Sequence, residues 1–202
     1  MKEKISSILL AGGKSERMGE DKAFLKYRND TFIKIITKKL YRTCDEIIIS
    51  INKNPKIYEE ELYTFLDKIV FVKDKKPYDG PLNAIVSAAE KVKHRFIFIA
   101  TVDTPLLNPN LIDFYLKKIK NFECIIPVVK EKFQPLNTLY TKEALEKAKE
   151  VYKTKKSLIA WIEQLKCLKV YEDEISKIDE NLYSYWSINT KGEYKKLLEE
   201  IT

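Results

Sequence analysis

Short apolar runs alternate with segments of helical periodicity along this chain, and that alternation restricts its possible folds. Several runs, such as Ile47–Ile49 and Phe96–Ile99, are continuously apolar, as expected for strands buried on both faces of a sheet. Strands separated by helices predict a mainly parallel central sheet with crossover helices on both faces, an α/β fold. The strands are predicted at residues 5–10, 46–51, 69–72, 96–100, 124–129 and 167–171.

Three helices are predicted between these strands. Thr31 is a typical N-cap residue, and Ile33, Ile36 and Leu40 after it share one helical face. Residues 82–92 and 111–119 show similar spacing. The part from about residue 131 to 202 is more helical and departs from strict alternation.

A glycine-rich loop follows the first predicted strand. Residues 10–22 read Leu-Ala-Gly-Gly-Lys-Ser-Glu-Arg-Met-Gly-Glu-Asp-Lys and contain three of the chain's five glycines. Glycine lets backbone amides approach an anion closely, and Lys14, Arg17 and Lys22 bring positive charge to the same place. The loop therefore predicts binding of a nucleoside triphosphate.

Two better-known nucleotide loops are excluded by spacing. Gly13-Lys14-Ser15 imitates the end of a Walker A motif, but Ile8 stands where that motif needs its first glycine. The dinucleotide fingerprint fails because Lys14 occupies the place of its second glycine. A different class of nucleotide loop remains.

Length and composition fit one globular domain spanning residues 1–202. Of the 202 residues 45% are hydrophobic, and the formal net charge of +7 is spread over many segments. The dispersed lysines predict a solvated surface that favours anionic substrates, and they do not form the basic stripe of a nucleic-acid binder. The first apolar run is too short for a signal sequence or a membrane span, so we expect a cytoplasmic protein with no membrane partner.

The cysteines and the histidine offer no obvious chemistry. Cys44, Cys124 and Cys167 are far apart and odd in number, so we expect structural thiols and neither a disulfide framework nor a zinc site. His94 is the only histidine and is expected at a surface helix end. A histidine-dependent catalytic triad is therefore excluded.

The string from Leu10 to Lys22 resembles the signature of the molybdenum cofactor guanylyltransferase family, within the nucleotidyltransferases that have a three-layer, Rossmann-like fold of the nucleotide-diphospho-sugar transferase type. The resemblance extends over nearly the whole chain. Later segments follow in the family's order: Asp74, Gly80-Pro81-Leu82, Val102-Asp103-Thr104-Pro105, Gln134-Pro135-Leu136 and Ile188-Asn189-Thr190.

The resemblance implies roles for the loop residues. Leu10, Ala11 and Gly12 would frame the guanine and phosphates, Lys22 would contact the triphosphate, and Arg17 would stabilise charge as pyrophosphate leaves. It also implies a nucleotide-binding half at about 1–130 and an acceptor-side half at about 131–202. Preorganised charge of this kind is usually the largest catalytic term in such transfers.

Asp103 is the candidate metal ligand. It follows an apolar strand and precedes Thr104-Pro105, so its carboxylate is expected at the strand end, although a turn aspartate is the commoner meaning of this sequence. Nucleotidyl transfer needs a divalent cation on the triphosphate, and Mg²⁺ binds one or two carboxylates together with phosphate and water. Within the ordered set of motifs we favour a magnesium ligand.

Other candidates would contact the nucleotide. Asp74 follows the third strand and could accept hydrogen bonds from guanine or from ribose hydroxyls. Gly80-Pro81 opens a predicted helix whose amides could face the base or phosphates. The family usually has a further glycine where this chain has Ala84, which bears on how closely the backbone can approach there.

Two serines also depart from the family pattern. Ser50 and Ser187 stand where the family often has asparagine, and serine differs from an amide in reach and in hydrogen bonding. Asn52 and Asn189 remain as expected binders, with the two serines as candidates.

The activity implied is transfer of GMP from GTP to the terminal phosphate of molybdopterin or molybdenum-molybdopterin, with release of pyrophosphate. Transient contacts with proteins of cofactor biosynthesis or molybdoenzyme maturation are also implied. One alternative is a related enzyme that uses CTP or activates another small phosphate. The cytidylyl-transferring relatives resemble Leu-Ala-Ala-Gly at this point, whereas here Gly13 follows Gly12 and leaves room consistent with a purine. The other is a noncatalytic GTP-binding or cofactor-delivery protein, which has less need of Arg17, Lys22 and Asp103.

Overall fold

The computed structural model of the protein describes residues 3–14 and 18–200. A central sheet carries helices on both faces. Within these described residues the ten strands are β1 (Ile5–Leu10), β2 (Lys26–Tyr27), β3 (Asp30–Thr31), β4 (Glu46–Ile51), β5 (Ile69–Lys73), β6 (Phe96–Thr101), β7 (Cys124–Val129), β8 (Lys132–Phe133), β9 (Thr138–Thr141) and β10 (Cys167–Tyr171). The same part of the chain contains eight α-helices, α1 (Phe32–Thr43), α2 (Pro55–Glu61), α3 (Pro81–Ala89), α4 (Asn110–Ile119), α5 (Lys142–Thr154), α6 (Leu158–Ile162), α7 (Glu172–Ile175) and α8 (Lys191–Glu200).

The main sheet has the strand order β10-β7-β9-β6-β1-β4-β5, with β8 paired to β7. Strands β6, β1, β4 and β5 are mutually parallel, and β10 is parallel to β7. Strand β9 runs antiparallel between β6 and β7. The six predicted strands are all present, and the mainly parallel α/β architecture is confirmed.

Strand β9 is a feature that the sequence did not indicate. Its four residues, Thr-Leu-Tyr-Thr, are too few to show a period, and all four are buried. The segment becomes a strand because β6 and β7 present hydrogen-bonding edges on either side of it. Long-range pairing, not local propensity, therefore determines this element.

Helices α1 and α3 begin where their capping residues stand. Thr31 Oγ1 accepts a hydrogen bond from the Lys34 amide at 3.4 Å, as the N-cap prediction required. Helix α3 begins at Pro81, directly after Gly80, whose φ of +87° is a conformation that favours glycine. The last residues of the predicted 82–92 helix form turns instead, because α3 ends at Ala89.

Two apolar layers enclose the sheet. Helices α1, α4 and α8 pack on one face, whereas α3, α5 and α6 pack on the other. Successive side chains of β1 point to opposite faces of the sheet, so Ile8 belongs to the second layer and Leu9 to the first. No helix in the described part of the chain is long and apolar enough to span a bilayer.

The cysteine prediction was wrong in one respect. Cys124 and Cys167 form a disulfide across the neighbouring strands β7 and β10, with their Cα atoms 4.8 Å apart. The two residues are 43 positions apart, and only the sheet order makes them partners. Cys44 is a buried free thiol, and burial raises its pKa to about 12.

His94 also differs from its predicted place. It lies in the turn between α3 and β6, not at a helix end, and its amide donates to Ser6 Oγ at 3.1 Å. This turn precedes β6, at the amino-terminal edge of the parallel strands.

Candidate functional site

A cavity of about 360 Å³ opens at the carboxyl edge of the parallel strands. Open α/β sheets bind ligands at this edge, because the loops after the strands converge there. The cavity is enclosed by the described parts of the glycine loop at residues 10–14 and 21–22, by the start of α3 and by the loop after β6. Its lining residues are Leu10, Ala11, Gly12, Gly13, Lys14, Asp21, Lys22, Asp74, Tyr78, Gly80, Pro81, Ala84, Thr101, Val102, Asp103 and Leu136.

Hydrogen bonds beyond the ends of the strands hold these loops side by side. The Ala11 amide donates to the Ser50 carbonyl at 3.0 Å, and the Val102 amide donates to the Leu10 carbonyl at 3.1 Å. The loops after β1, β4 and β6 therefore leave the sheet in register with one another. This brings Gly12 and Asp103 to the same cavity although they are far apart in sequence.

The last residue of the glycine loop, Lys22, contacts both Asp103 and Asn189. Lys22 begins a 3₁₀ helix, Lys22–Phe24, in which Asp21 accepts from the Ala23 amide at 3.0 Å. The Lys22 ammonium donates to Asn189 Oδ1 at 2.6 Å and lies 3.5 Å from Asp103 Oδ2. A cation of the loop is thus held beside the carboxylate that ends β6.

One oxygen of Asp103, which lacks a partner in the described part of the chain, fits a divalent cation. Its Oδ1 is buried and has no hydrogen-bond partner among the described residues. A buried unpaired carboxylate oxygen costs free energy unless a ligand compensates it. The described residues contain no group of three or more His, Cys, Asp or Glu side chains placed to hold a metal. A cation here would draw its remaining ligands from phosphate and water, which is how Mg²⁺ binds.

Asp74 follows β5 and Asp103 follows β6, on opposite sides of β1 and β4 in the sheet, so the two carboxylates lie at opposite ends of the cavity. Asp74 is buried in a hydrogen-bond network. Ser50 Oγ donates to Asp74 Oδ1, and Asn52 Nδ2 donates to Asp74 Oδ2 at 2.8 Å. Burial raises the pKa of Asp74, and the hydrogen bonds from the two side chains oppose that rise. The carboxylate is therefore held in one orientation.

Asn52 also fixes the glycine loop. Its Nδ2 donates to the Gly12 carbonyl at 2.7 Å, and its buried Oδ1 has no partner among the described residues. A Cβ atom at Gly12 would lie 2.5 Å from Asn52 Nδ2, whereas one at Gly13 would meet nothing within 4 Å. Gly12 is therefore required by close packing, while Gly13 leaves open space in the cavity.

The start of α3 forms one wall of the cavity. Gly80 and Pro81 lead into the helix, whose first turn is expected to leave amides without intrahelical partners. Ala84, the departure from the family pattern, also lines the cavity and is 6% exposed. Its methyl group therefore occupies space at the wall that a glycine would leave free.

Most of the predicted site residues come together in this structure. Asn52 and Asn189 do not line the cavity, but each contacts a residue that does. Ser50 lies behind Asp74, and Ser187 is half-buried and does not line the cavity. Arg17 lies outside the described residues. Those lining the cavity are Leu10, Ala11, Gly12, Gly13, Lys22, Asp74, Gly80, Pro81 and Asp103.

Tyr78 is a lining residue that sequence reasoning missed. Its φ is +60°, which is uncommon for an aromatic residue, and Lys14 Nζ lies 5.8 Å from its ring centroid. An aromatic residue within the polar segment 75–79 was the available signal. Asp21 was missed as well, and it forms an ion pair with Lys53 at 2.8 Å.

Comparison with solved structures supports the fold. The structure superimposes on molybdopterin-guanine dinucleotide biosynthesis protein A from Archaeoglobus fulgidus with a TM-score of 0.79, at 18% identity, covering 96% of this chain and 97% of the other. It is also similar to 4-diphosphocytidyl-2C-methyl-D-erythritol synthase from Anaerococcus prevotii, with a TM-score of 0.74 at 15% identity and coverage of 97% and 95%. At such low identities the likeness shows the shared Rossmann-like fold alone.

Sequence comparison is more specific. The chain is 36% identical over 203 residues to a probable molybdenum cofactor guanylyltransferase from Clostridium perfringens, covering 98% of each chain. A protein of the same name from Methanosarcina mazei is 30% identical, with 96% of this chain and 89% of that one covered. Residues 7–168 match the family model of the MobA-like NTP transferase domain. The chain therefore belongs to the MobA-like NTP transferase family and is a nucleotidyltransferase.

Proposed function

We propose that this enzyme transfers GMP from GTP to the terminal phosphate of a molybdopterin-type cofactor, releasing pyrophosphate and forming the guanine dinucleotide cofactor. The observation that carries the proposal is the Lys22–Asp103–Asn189 cluster beside the glycine loop, in which one buried Asp103 oxygen has no hydrogen-bond partner among the described residues. The names of the sequence relatives supply the identity of the acceptor.

In the proposed reaction an oxygen of the acceptor phosphate forms a bond to the α-phosphorus of GTP. The bond from that phosphorus to the oxygen bridging to the β-phosphorus breaks, and pyrophosphate takes the electron pair. The acceptor is already a phosphate nucleophile, so no covalent enzyme intermediate is needed, and positioning supplies most of the effect. This agrees with the place of His94, at the opposite edge of the parallel strands from the cavity.

Each residue of the site has a separate role in the proposed reaction. Lys22 would contact the triphosphate, and Asp103 would hold Mg²⁺ through the oxygen that has no partner among the described residues. Magnesium, when bound, offsets the negative charge of the triphosphate and of the leaving pyrophosphate. Arg17 stabilises charge on that leaving group, as the family resemblance implies. Asn189 holds the Lys22 ammonium by a 2.6 Å hydrogen bond, so that its charge is in place before the nucleotide arrives.

The opposite end of the cavity would bind the nucleoside. Asp74 can accept from N1 and the exocyclic amine of guanine, or from ribose hydroxyls, because each of its oxygens has a further lone pair. Leu10, Ala11 and Gly12 form the adjoining wall. Gly80 adds a backbone amide, and Pro81, which has no amide hydrogen, adds apolar surface. The open space at Gly13 favours a purine over a pyrimidine.

Two alternatives predict different behaviour. A CTP-dependent enzyme would release pyrophosphate from CTP under the same conditions, because much of the fold and loop would be shared. A noncatalytic GTP-binding or delivery protein would bind GTP and release none. The second alternative does not explain why a buried Asp103 oxygen beside a lysine has no hydrogen-bond partner in the part of the chain that the structure describes.

The first prediction concerns pyrophosphate release with magnesium and purified molybdopterin-type acceptor, with GTP and CTP at matched concentrations. We expect release with GTP only. Asp103→Asn should lower the rate by about 10²–10³-fold, the usual cost of losing one transition-state stabiliser. Asp113→Asn, on α4, is a control that removes a carboxylate outside the cavity lining. Release from CTP, or full activity of Asp103→Asn, would contradict the proposal.

The second prediction is a pH dependence of GTP binding that is due to Asp74. A carboxylate accepts two donors from guanine or ribose only while ionised, and burial raises the pKa of Asp74. GTP affinity should therefore fall as pH drops through that raised pKa, at a higher pH than for an ordinary aspartate. Calorimetry over this pH range should show this acid loss, the fall of GTP affinity at low pH, in the parent enzyme. Asp74→Asn should bind GTP weakly at every pH and show no such fall.

Asp79→Asn is the matched control for this titration. Asp79 is five residues away, does not line the cavity, and hydrogen-bonds to Tyr152 and Lys156, which lower its pKa. The control should keep the acid loss of GTP affinity. An unchanged acid loss in Asp74→Asn would exclude Asp74 as the titrating nucleotide contact.

The third prediction separates the two glycines of the loop. Gly13→Ala has space for the added methyl group, so the protein should fold normally and lose GTP affinity relative to CTP by about 1–3 kcal/mol. Gly12→Ala would collide with Asn52 and should weaken binding of both nucleotides. Melting temperatures and competitive binding of GTP and CTP measure these effects. Equal loss of both nucleotides in Gly13→Ala would show that Gly13 does not select the base.

A further inference from the structure

Asn137 is a buried polar residue that neither the motifs nor the proposed reaction accounts for. It lies between β8 and β9, is 3% exposed, and has a φ of +57°. Asparagine adopts this left-handed conformation more readily than most residues. Its backbone amide donates to the Ile99 carbonyl at 2.7 Å, so the residue is anchored against the last part of β6.

The side chain of Asn137 joins two separate segments. Its Oδ1 accepts from the Thr101 amide at 3.2 Å, and its Nδ2 donates to Thr104 Oγ1 at 3.1 Å. The same Nδ2 donates to the Ser184 carbonyl at 2.8 Å. The side-chain amide of Asn137 thus holds Thr101 and Thr104, on either side of Asp103, and attaches them to the C-terminal segment at residues 184–188.

That C-terminal segment reaches the site a few residues later. The Ile188 amide donates to the Asp103 carbonyl at 2.8 Å, and the next residue, Asn189, accepts from Lys22. The hydrogen bonds of Asn137 and Ile188 therefore fix both ends of residues 184–188 to residues 101–104, which we call the Asp103 loop. A shift at either connection would move Asp103 relative to Lys22.

We infer that Asn137 is a positioning residue, which sets the Asp103 loop and the segment carrying Asn189 in the arrangement that receives the metal-bound triphosphate. It does not contact the nucleotide, because its amide is already used by Thr101, Thr104 and Ser184. The link to metal and triphosphate rests on the proposed function, whereas the link to the loop rests on the hydrogen bonds alone.

Two substitutions at this position leave the backbone conformation accessible. Asn137→Asp keeps the size and the acceptor for Thr101, but it replaces the donor to Thr104 and Ser184 with a second acceptor. Asn137→Gly tolerates the positive φ and removes all three side-chain bonds. Substitution by a β-branched residue would add backbone strain and would not isolate the hydrogen bonds.

Thr138→Val is the matched control. Thr138 is the next residue, is fully buried, and donates through Oγ1 to the Ile125 carbonyl at 2.7 Å. Valine has nearly the same shape and removes that bond without touching the Asp103 loop. We expect Asn137→Asp and Thr138→Val both to lower the melting temperature, so loss of stability alone does not distinguish the roles.

Hydrogen exchange in the nucleotide-free protein provides the decisive readout. The amides of Val102 and Ile188 bond to Leu10 and Asp103 respectively, and NMR can follow each one. Both should exchange about tenfold faster or more in the two Asn137 variants, relative to core amides of β4, through local opening. Both should keep their relative protection in Thr138→Val. Unchanged relative protection in the Asn137 variants would overturn the inference.

A second measurement tests the functional consequence separately. GTP affinity is measured by calorimetry once with Mg²⁺ and once with EDTA. The ratio of the two affinities gives the gain in GTP affinity that is due to the metal. Asn137→Asp should lose most of this gain, and Thr138→Val should keep it. If the parent enzyme shows no gain from metal, the proposed magnesium role fails, and the exchange experiment still decides whether Asn137 positions the loop.

Discussion

The site depends on the double pairing of β1. This strand is hydrogen-bonded in parallel to β4 on one side and β6 on the other, and both ladders continue for one further bond beyond its end. Parallel neighbours release their loops at the same edge, so the glycine loop, Asn52 and Asp103 emerge together. Without this register, the residues that the proposed reaction needs would remain scattered along the sequence.

Charge is distributed unequally along the cavity. At one end Lys22 lies between an amide oxygen and a carboxylate, and Asp103 keeps a buried oxygen without a partner among the described residues. At the other end Asp74 is satisfied by Ser50 and Asn52. A polyanion with a cation fits the first end, whereas a neutral group rich in hydrogen-bond donors fits the second. A purine nucleoside triphosphate combines these two properties in one molecule.

Most of the features that could be predicted from the sequence were predicted from patterns of a few neighbouring residues. Short, largely apolar runs indicated the six longer strands, and Thr31 indicated the start of α1, because burial and capping act over a few residues. The glycine loop and Asp103 were also recognisable, since the chemistry of phosphate and magnesium requires those residue types. The assembly of Lys22 with Asp103 and Asn189 followed only from the family resemblance.

Features that depend on distant pairing were not predictable in this way. Strand β9 exists because two edges are available to it, and Cys124 meets Cys167 only after β7 and β10 become neighbours. Asn137 reads as an ordinary turn residue in sequence, and its role depends on Thr101 and Ser184, which lie 36 and 47 residues away. Such contacts are properties of the topology and carry no local signature.

The most direct test of the account is a crystal structure of the enzyme with a nonhydrolysable GTP analogue and Mn²⁺, in which anomalous scattering locates the metal. The account predicts a manganese peak bonded to the Asp103 carboxylate and to phosphate oxygens, with the Lys22 ammonium on the triphosphate and the guanosine toward Asp74. A metal bound away from Asp103, or a triphosphate outside the glycine loop, would contradict it.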